Sequence, residues 1–407
     1  MLTLSPSQPT LKSDTSTERF HGLDATRTFA LLIGIGHHGI ESLVTYVNND
    51  WATQDSQSSI LLDIIFYVSH VFRMQTFFLL SGFFAHLLYH RKGVQAFIRN
   101  RAQRLLLPFL LFWPLLYGLN WSLWVWGAQR VSPLSRAEAI AKLPGFMVWE
   151  KGFPLMHLWF LYFLVLFCLL VVLFRPIVSN WLDPTHRLRL WMDRVIRVCF
   201  QHWWGGLALG LVMVGPMLGM TDWFGVDTSA SGLIPRWAPF TVYGLYFTLG
   251  WVLHRQANLL NNLIKFRLVN LLGSVLLIGS LIAINLLFPA PANPADAQNV
   301  LTVLNTIYAF ASITTAFAFI GYVMVYFSAP NSIIRYLSDS AYWGYLIHLP
   351  VVVFFQILVA PYSWPWLVKL ALIFIPSGVI LWLTYHYGVR STWIGSLLNG
   401  RRYVNKI

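Results

Sequence analysis

Ten stretches of about 17–25 mostly apolar residues follow one another along this chain, each the length a helix needs to cross a hydrocarbon core. In such a core every backbone N–H and C=O must be satisfied within the segment, so helices are what these stretches can form there. They lie at about 25–47, 63–89, 105–126, 157–174, 203–219, 238–254, 267–288, 303–328, 341–360 and 366–387. Charged residues make up only 11% of the chain, against about a quarter in a soluble domain. The expected fold class is therefore all-α: a polytopic membrane protein, a bundle of about ten transmembrane helices. Gly215-Pro216 in the fifth stretch predicts a kink.

The connections set the orientation. With the N-terminus cytoplasmic, about twenty Lys and Arg fall on cytoplasmic connections and tails, against about six on the other side. Both termini are then cytoplasmic. The net charge of +13 is this topology signal; no basic arm or nucleic-acid-binding motif is present, so no nucleic-acid partner is expected, and the bilayer is the first partner. Residues 1–20, rich in Ser, Thr, Pro and Gln, read as a disordered cytoplasmic tail. Residues 21–390 form the membrane domain, and 391–407 a basic cytoplasmic tail. No cleavable leader is visible in the polar first 24 residues. Cys168 and Cys199 imply no disulfide framework. The Trp-, Pro- and Gly-rich connection at 127–156 is long enough to fold over the outer face. Interrupted helices are not repeated in the two halves, which argues against an inverted-repeat transporter.

Ionisable side chains inside the first two stretches point to function, because a charge in a membrane span is costly unless it faces protein, water or substrate. Arg73 opens Arg73-Met74-Gln75-Thr76-Phe77-Phe78-Leu79-Leu80-Ser81-Gly82, and the first stretch holds Arg27, His37, His38 and Glu41. Arg27 and His38 share a helix face, about 16 Å apart along the axis. His37 points elsewhere, and Glu41 can orient either imidazole. The second helix runs the other way, which brings Arg73 to the depth of His38 and leaves His70 nearer the outer end. A histidine can take a proton from a hydroxyl and return it, and an arginine can stabilise an oxyanion. The set suits acyl transfer; it equally suits a proton relay in a transporter.

Arg99, Arg101 and Arg104 precede Leu105-Leu106-Leu107-Pro108 on the cytoplasmic side. They can anchor to lipid phosphates or clamp the phosphates of a nucleotide-bearing donor. No metal-ligand spacing and no Gly-rich phosphate loop occurs, so no metal and no tightly bound cofactor is expected.

Several motifs carry a resemblance. Leu23-Asp24-Ala25-Thr26-Arg27 followed by His38, Phe77 to Phe83, Arg101-Ala102-Gln103-Arg104 before Pro108, His157-Leu158-Trp159 and Tyr345-Leu346-Ile347-His348-Leu349-Pro350 resemble, in order, the motifs of the membrane acyltransferase-3 superfamily. Phe72-Arg73-Met74-Gln75 is similar to its glucan-modifying branch, whose members are thought to succinylate periplasmic glucans. The resemblance implies acyl-CoA, succinyl-CoA in that branch, as cytoplasmic cosubstrate and a periplasmic glucan as acceptor. It implies His38, Arg73 and Glu41 as the catalytic set and Arg27, Arg101 and Arg104 at the CoA phosphates. Arg73 would meet the oxyanion or the succinyl carboxylate. His70, His157, Trp159, Tyr345 and His348 would line the substrate path, with Trp159 as a stacking surface for sugar, His348 near the donor and Tyr345 as its partner. His37 beside His38 leaves open which imidazole reacts.

Overall fold

The computed structural model describes residues 20–45, 50–221, 225–287 and 293–403. Nearly all of the expected N-terminal tail, and the last four residues, lie outside them. Among the described residues every named element is helical, and the single β-type pairing is a bridge between Pro154 and Ser231.

Each of the ten apolar stretches falls on a helix, but the helices do not end where the apolar residues do. Helix α1 is His21–Ile40 and continues as a 3-10 turn, Glu41–Leu43. Helix α2, Ile60–Arg101, carries on past the lipid-length stretch, with Gly93 (φ 80°) bending its basic end away from the axis. A π turn, Ala102–Leu106, joins it to α3, Leu107–Val131, which starts with Pro108 where no backbone donor is needed. After the short α4 (Arg136–Ala141), closed by a Ser135–Glu138 capping box, come α5 (Trp159–Ile177), α6 (Arg187–Gln201), α7 (Gly205–Met217) and α8 (Trp237–His254). Beyond a one-turn α9 (Leu260–Lys265), α10 spans Arg267–Leu287 and α11 Pro294–Phe327. Helix α12 begins at Ser332 rather than near 341, because the Asn331 side chain caps the amides of Ile333 and Ile334. Helix α13 is Trp366–Leu383 and α14 Trp393–Asn399.

Six helical runs among the described residues are long and apolar enough to cross a membrane: Ile60–Val131, Met156–Leu182, Arg267–Leu287, Pro294–Phe327, Ser332–Val359 and Trp366–Val389. The first of them contains both α2 and α3.

Helix α1 sits centrally, packed on α2, α11, α12 and α13. Helices α2 and α8 touch backbone to backbone: a Cβ at Gly82 would lie 1.8 Å from the Phe247 carbonyl oxygen, and one at Gly250 would lie 1.8 Å from that of Leu79. Small residues at a crossing are how helices approach closely when apolar burial alone does not drive them together. At one end of the bundle the connection before α5 is stitched to the one before α8, through Met156 N–H to Ala230 C=O (2.9 Å) and Gly232 N–H to Phe153 C=O (2.9 Å). At the same end Lys369 Nζ lies 2.6 and 2.5 Å from the two carboxylate oxygens of Asp55, with both side chains buried.

Candidate active site

One cavity of about 1230 Å³ runs through the middle of the bundle. At one end it is bounded by Arg27, Arg101, Arg104, Ser338, Asp339 and Asn399. At the other end its walls are Asp50 and Trp51 from the α1–α2 connection, Trp124 from α3, and Phe146, Lys151, Thr228 and Ser231 from the stitched loops. Between them lie His38, Glu41, His70, Arg73, His157, Trp159, Tyr345 and His348. Of the residues singled out above as catalytic, donor-binding or substrate-lining, all but Arg99 therefore face the same space.

At its centre, His38 Nδ1 is 2.8 Å from Glu41 Oε2. With Glu41 ionised, its carboxylate only accepts, so Nδ1 carries the proton and Nε2 is the nitrogen left for chemistry. His37 makes a different contact. Its Nδ1 is 2.7 Å from Ser69 Oγ, whose own proton goes to the Phe66 carbonyl (2.8 Å), and its ring stacks on Phe66 at 4.0 Å. A hydroxyl cannot offset the charge of an imidazolium as a carboxylate can. Of the two neighbouring imidazoles, His38 has the partner a general base needs.

Three imidazoles stand in a row: His348 is 5.3 Å from His38 and 5.5 Å from His157, between ring centroids. Helix α12, starting at Ser332, sets His348 beside His38. Tyr345 partners His348 through its backbone carbonyl, which accepts from His348 Nδ1 at 2.8 Å, while its hydroxyl donates to the His157 carbonyl at 2.9 Å. His157 Nε2 donates to the Leu346 carbonyl (3.0 Å), which leaves Nδ1 buried with no partner among the described residues.

Arg73 is 7% exposed, and its Nη1 makes only a long 3.4 Å contact with the Gly34 carbonyl, one helical turn before His38. Its Nε has no partner among the described residues. A guanidinium with unused donors beside His38 is placed to meet negative charge. His70 Nδ1 is 3.0 Å from the Tyr308 hydroxyl. Trp159 lines the cavity and its ring packs against Phe163 (5.4 Å) and Tyr243 (5.2 Å). Trp51 and Trp124, 5.2 Å apart, line the end with the loops.

At the arginine end, Arg101 caps the π turn and Arg104 lies within it, a distortion enriched at functional sites. Arg101 lies over the Phe97 ring at 5.3 Å and its Nε has no partner among the described residues. Arg104 Nη1 donates to the Leu398 carbonyl (3.3 Å), so the segment after α13 folds back against this mouth. Arg27 donates to Ser338 Oγ (3.0 Å) and pairs with Asp24 at 3.5 Å.

An acyltransferase-domain family matches residues 20–386. The chain belongs to this acyltransferase-3 family. Among curated relatives, Glucans biosynthesis protein C of Escherichia coli strain K12 is 32% identical over 169 residues, 40% of this chain and 41% of the relative. The protein of the same name from Escherichia coli O6:K15:H31 strain 536 is 30% identical over 164 residues, again 40% of this chain and 41% of the relative. The matched part thus spans about two fifths of the length of these relatives. No solved structure matches the chain. The family assignment makes the protein an acyltransferase-family membrane protein, and the motifs that carry the resemblance are those whose side chains line the cavity.

Sequence reasoning did not single out Trp51, Ser69, Asp55, Gln356 or Lys369. One signal was available for Lys369: it is a lone cation just inside an apolar stretch, facing a connection whose carboxylates include Asp55.

Proposed function

We propose that the protein is a membrane O-acyltransferase of a bacterial inner membrane, moving a succinyl group from cytoplasmic succinyl-CoA to hydroxyls of periplasmic glucans. One observation carries the reading: a single cavity joins the paired arginines to the loops at the opposite end and passes the His38–Glu41 pair on the way. The topology that goes with it has ten spans with both termini cytoplasmic, a membrane domain over 21–390 and a short basic tail after it. The arginine end is then cytoplasmic, and the Trp51 end faces the acceptor.

Arg27, Arg101 and Arg104 hold the CoA phosphates, and the pantetheine arm extends along the cavity to place the thioester at His38. His38 Nε2 takes the proton of a glucosyl hydroxyl as its oxygen attacks the thioester carbonyl carbon. Glu41 stabilises the imidazolium. Arg73 meets the oxyanion of the tetrahedral intermediate, or alternatively the distal carboxylate of the succinyl group. Collapse breaks the C–S bond, the thiolate recovers the proton from His38, and the products are a glucan ester and free CoA. Transfer by way of an acyl-histidine splits the same balance into two steps. His70, His157, Tyr345 and His348 line the path, and no metal or tightly held cofactor takes part.

Because the cavity reaches both ends of the bundle, transport of an acyl or sugar-lipid substrate by a proton relay is the second reading. It predicts movement driven by a proton gradient and no covalently modified glycan. Mass spectrometry of periplasmic glucans from cells with and without the gene separates the two. Loss of a succinyl increment with the gene supports the transferase, while unchanged glucans with another acylated glycan missing would move the acceptor, or make the acyl group acetyl. His38→Ala should leave the protein in the membrane and lower transfer by about 10²–10⁴-fold; retained activity would end the assignment of the base.

A further inference from the structure

Helix α1 ends at Ile40, and the last carbonyls of a helix have no partner within it. Two of them, those of His38 and Gly39, accept from the side-chain amide of Gln356 on α12, at 2.8 and 3.1 Å. The amide's oxygen accepts from the indole Nε1–H of Trp51 at 2.9 Å. Gln356 is completely buried and does not line the cavity. Its orientation is fixed, since only the NH₂ can face two carbonyls and only the oxygen can face an indole N–H. Trp51 in turn lies parallel to the His38 imidazole, 5.8 Å away with 4° between planes, on the face of the ring. One side chain thus holds the backbone that carries His38, and the aromatic ring laid over it, in a single hydrogen-bonded set. The 3-10 turn that brings Glu41 to His38 starts directly after the two capped carbonyls.

We propose that Gln356 is a positioning residue for the His38–Glu41 pair, acting through the end of α1 and through Trp51 without touching substrate. The inference rests on the reading of His38 as the base. Replacing the amide with an apolar group orphans two carbonyls and an indole N–H, lets Trp51 leave the imidazole, and frees the turn that holds Glu41. The donor site at the arginine mouth is untouched, so the effect belongs in the chemical step and not in donor binding.

The test uses full-length protein in detergent or nanodiscs, with succinyl-CoA and purified glucan. Gln356→Met keeps length and volume and loses all three hydrogen bonds. It should lower kcat by about 10- to 100-fold while KM for succinyl-CoA stays within about twofold of wild type. In a Glu41→Gln background, where the pair is already broken, the same change should cost much less. Full additivity would identify a merely structural role and overturn the proposal. Gln356→Asn is the second variant should the methionine protein not fold. It keeps the amide on an arm one methylene shorter, which cannot hold all three hydrogen bonds, and should lose kcat to a smaller degree. Wild-type kcat in either folded variant refutes the proposal. His38→Ala run alongside separates the layers: if it stays active the reading of the base fails, and if it is dead while Gln356→Met is normal only this inference fails.

Discussion

The buried Asp55–Lys369 pair gives the most quantitative expectation. Lys369 comes from α13 and Asp55 from the loop that also carries Trp51, and the Asp55 amide donates to the Ser42 carbonyl at 2.8 Å, in the turn that bears Glu41. Lys369→Met keeps the bulk and removes the charge. The carboxylate is then left in the interior with the Gln57 amide, 2.8 Å away, as its remaining hydrogen-bond donor among the described residues. Breaking a buried pair from one side costs about 3–5 kcal/mol. At 1.4 kcal/mol per tenfold this raises the loop-opening equilibrium by about 10²–10⁴-fold. The loop should detach before the bundle unfolds, because the pair ties loop to helix.

A cysteine at Thr53, which is buried in the loop, reports this opening through thiol labelling against a protected wild-type background. Labelling and loss of transfer should rise together in Lys369→Met. Asp55→Asn with Lys369→Met should recover much of the loss, since no charge is left stranded. The reasoning is refuted if Lys369→Met labels like wild type, or if the double neutral protein is no better than the single.

Arg73→Met, assayed with succinyl-CoA and with acetyl-CoA, should lose about 10²–10³-fold with both donors if the guanidinium serves the oxyanion. A loss confined to succinyl-CoA would instead make Arg73 the reader of the acyl carboxylate. Gly82→Ala should destabilise the α2–α8 crossing, measured as a lower melting temperature in detergent, because the added Cβ would lie 1.8 Å from the Phe247 carbonyl oxygen. Gly118→Ala in α3, where nothing lies within 4 Å, is the matched control and should be neutral or stabilising by up to about 1 kcal/mol.

The helices were legible because the apolar stretches announce themselves by length, and the cavity-lining set because membrane interiors do not tolerate idle charges. The limits of each helix were not legible. Apolarity marks where lipid or core could lie, whereas caps mark where the hydrogen-bond ladder starts, and Asn331 puts those two places apart for α12. Gln356 stayed invisible for a different reason: its partners are 318, 317 and 305 residues away, and no local pattern records a contact at that distance.

The choice between His37 and His38 shows where local geometry outweighs spacing. From Glu41, His38 is three residues back and His37 four, and in a continuing α-helix both are within reach of its carboxylate. The chain instead leaves the α-helix at Ile40, and in a 3-10 turn residues three apart eclipse one another. Glu41 therefore meets His38 at 2.8 Å, and His37 is left to Ser69. The residues that decide the end of α1, Gln356 among them, thus decide which of two adjacent imidazoles has a carboxylate partner.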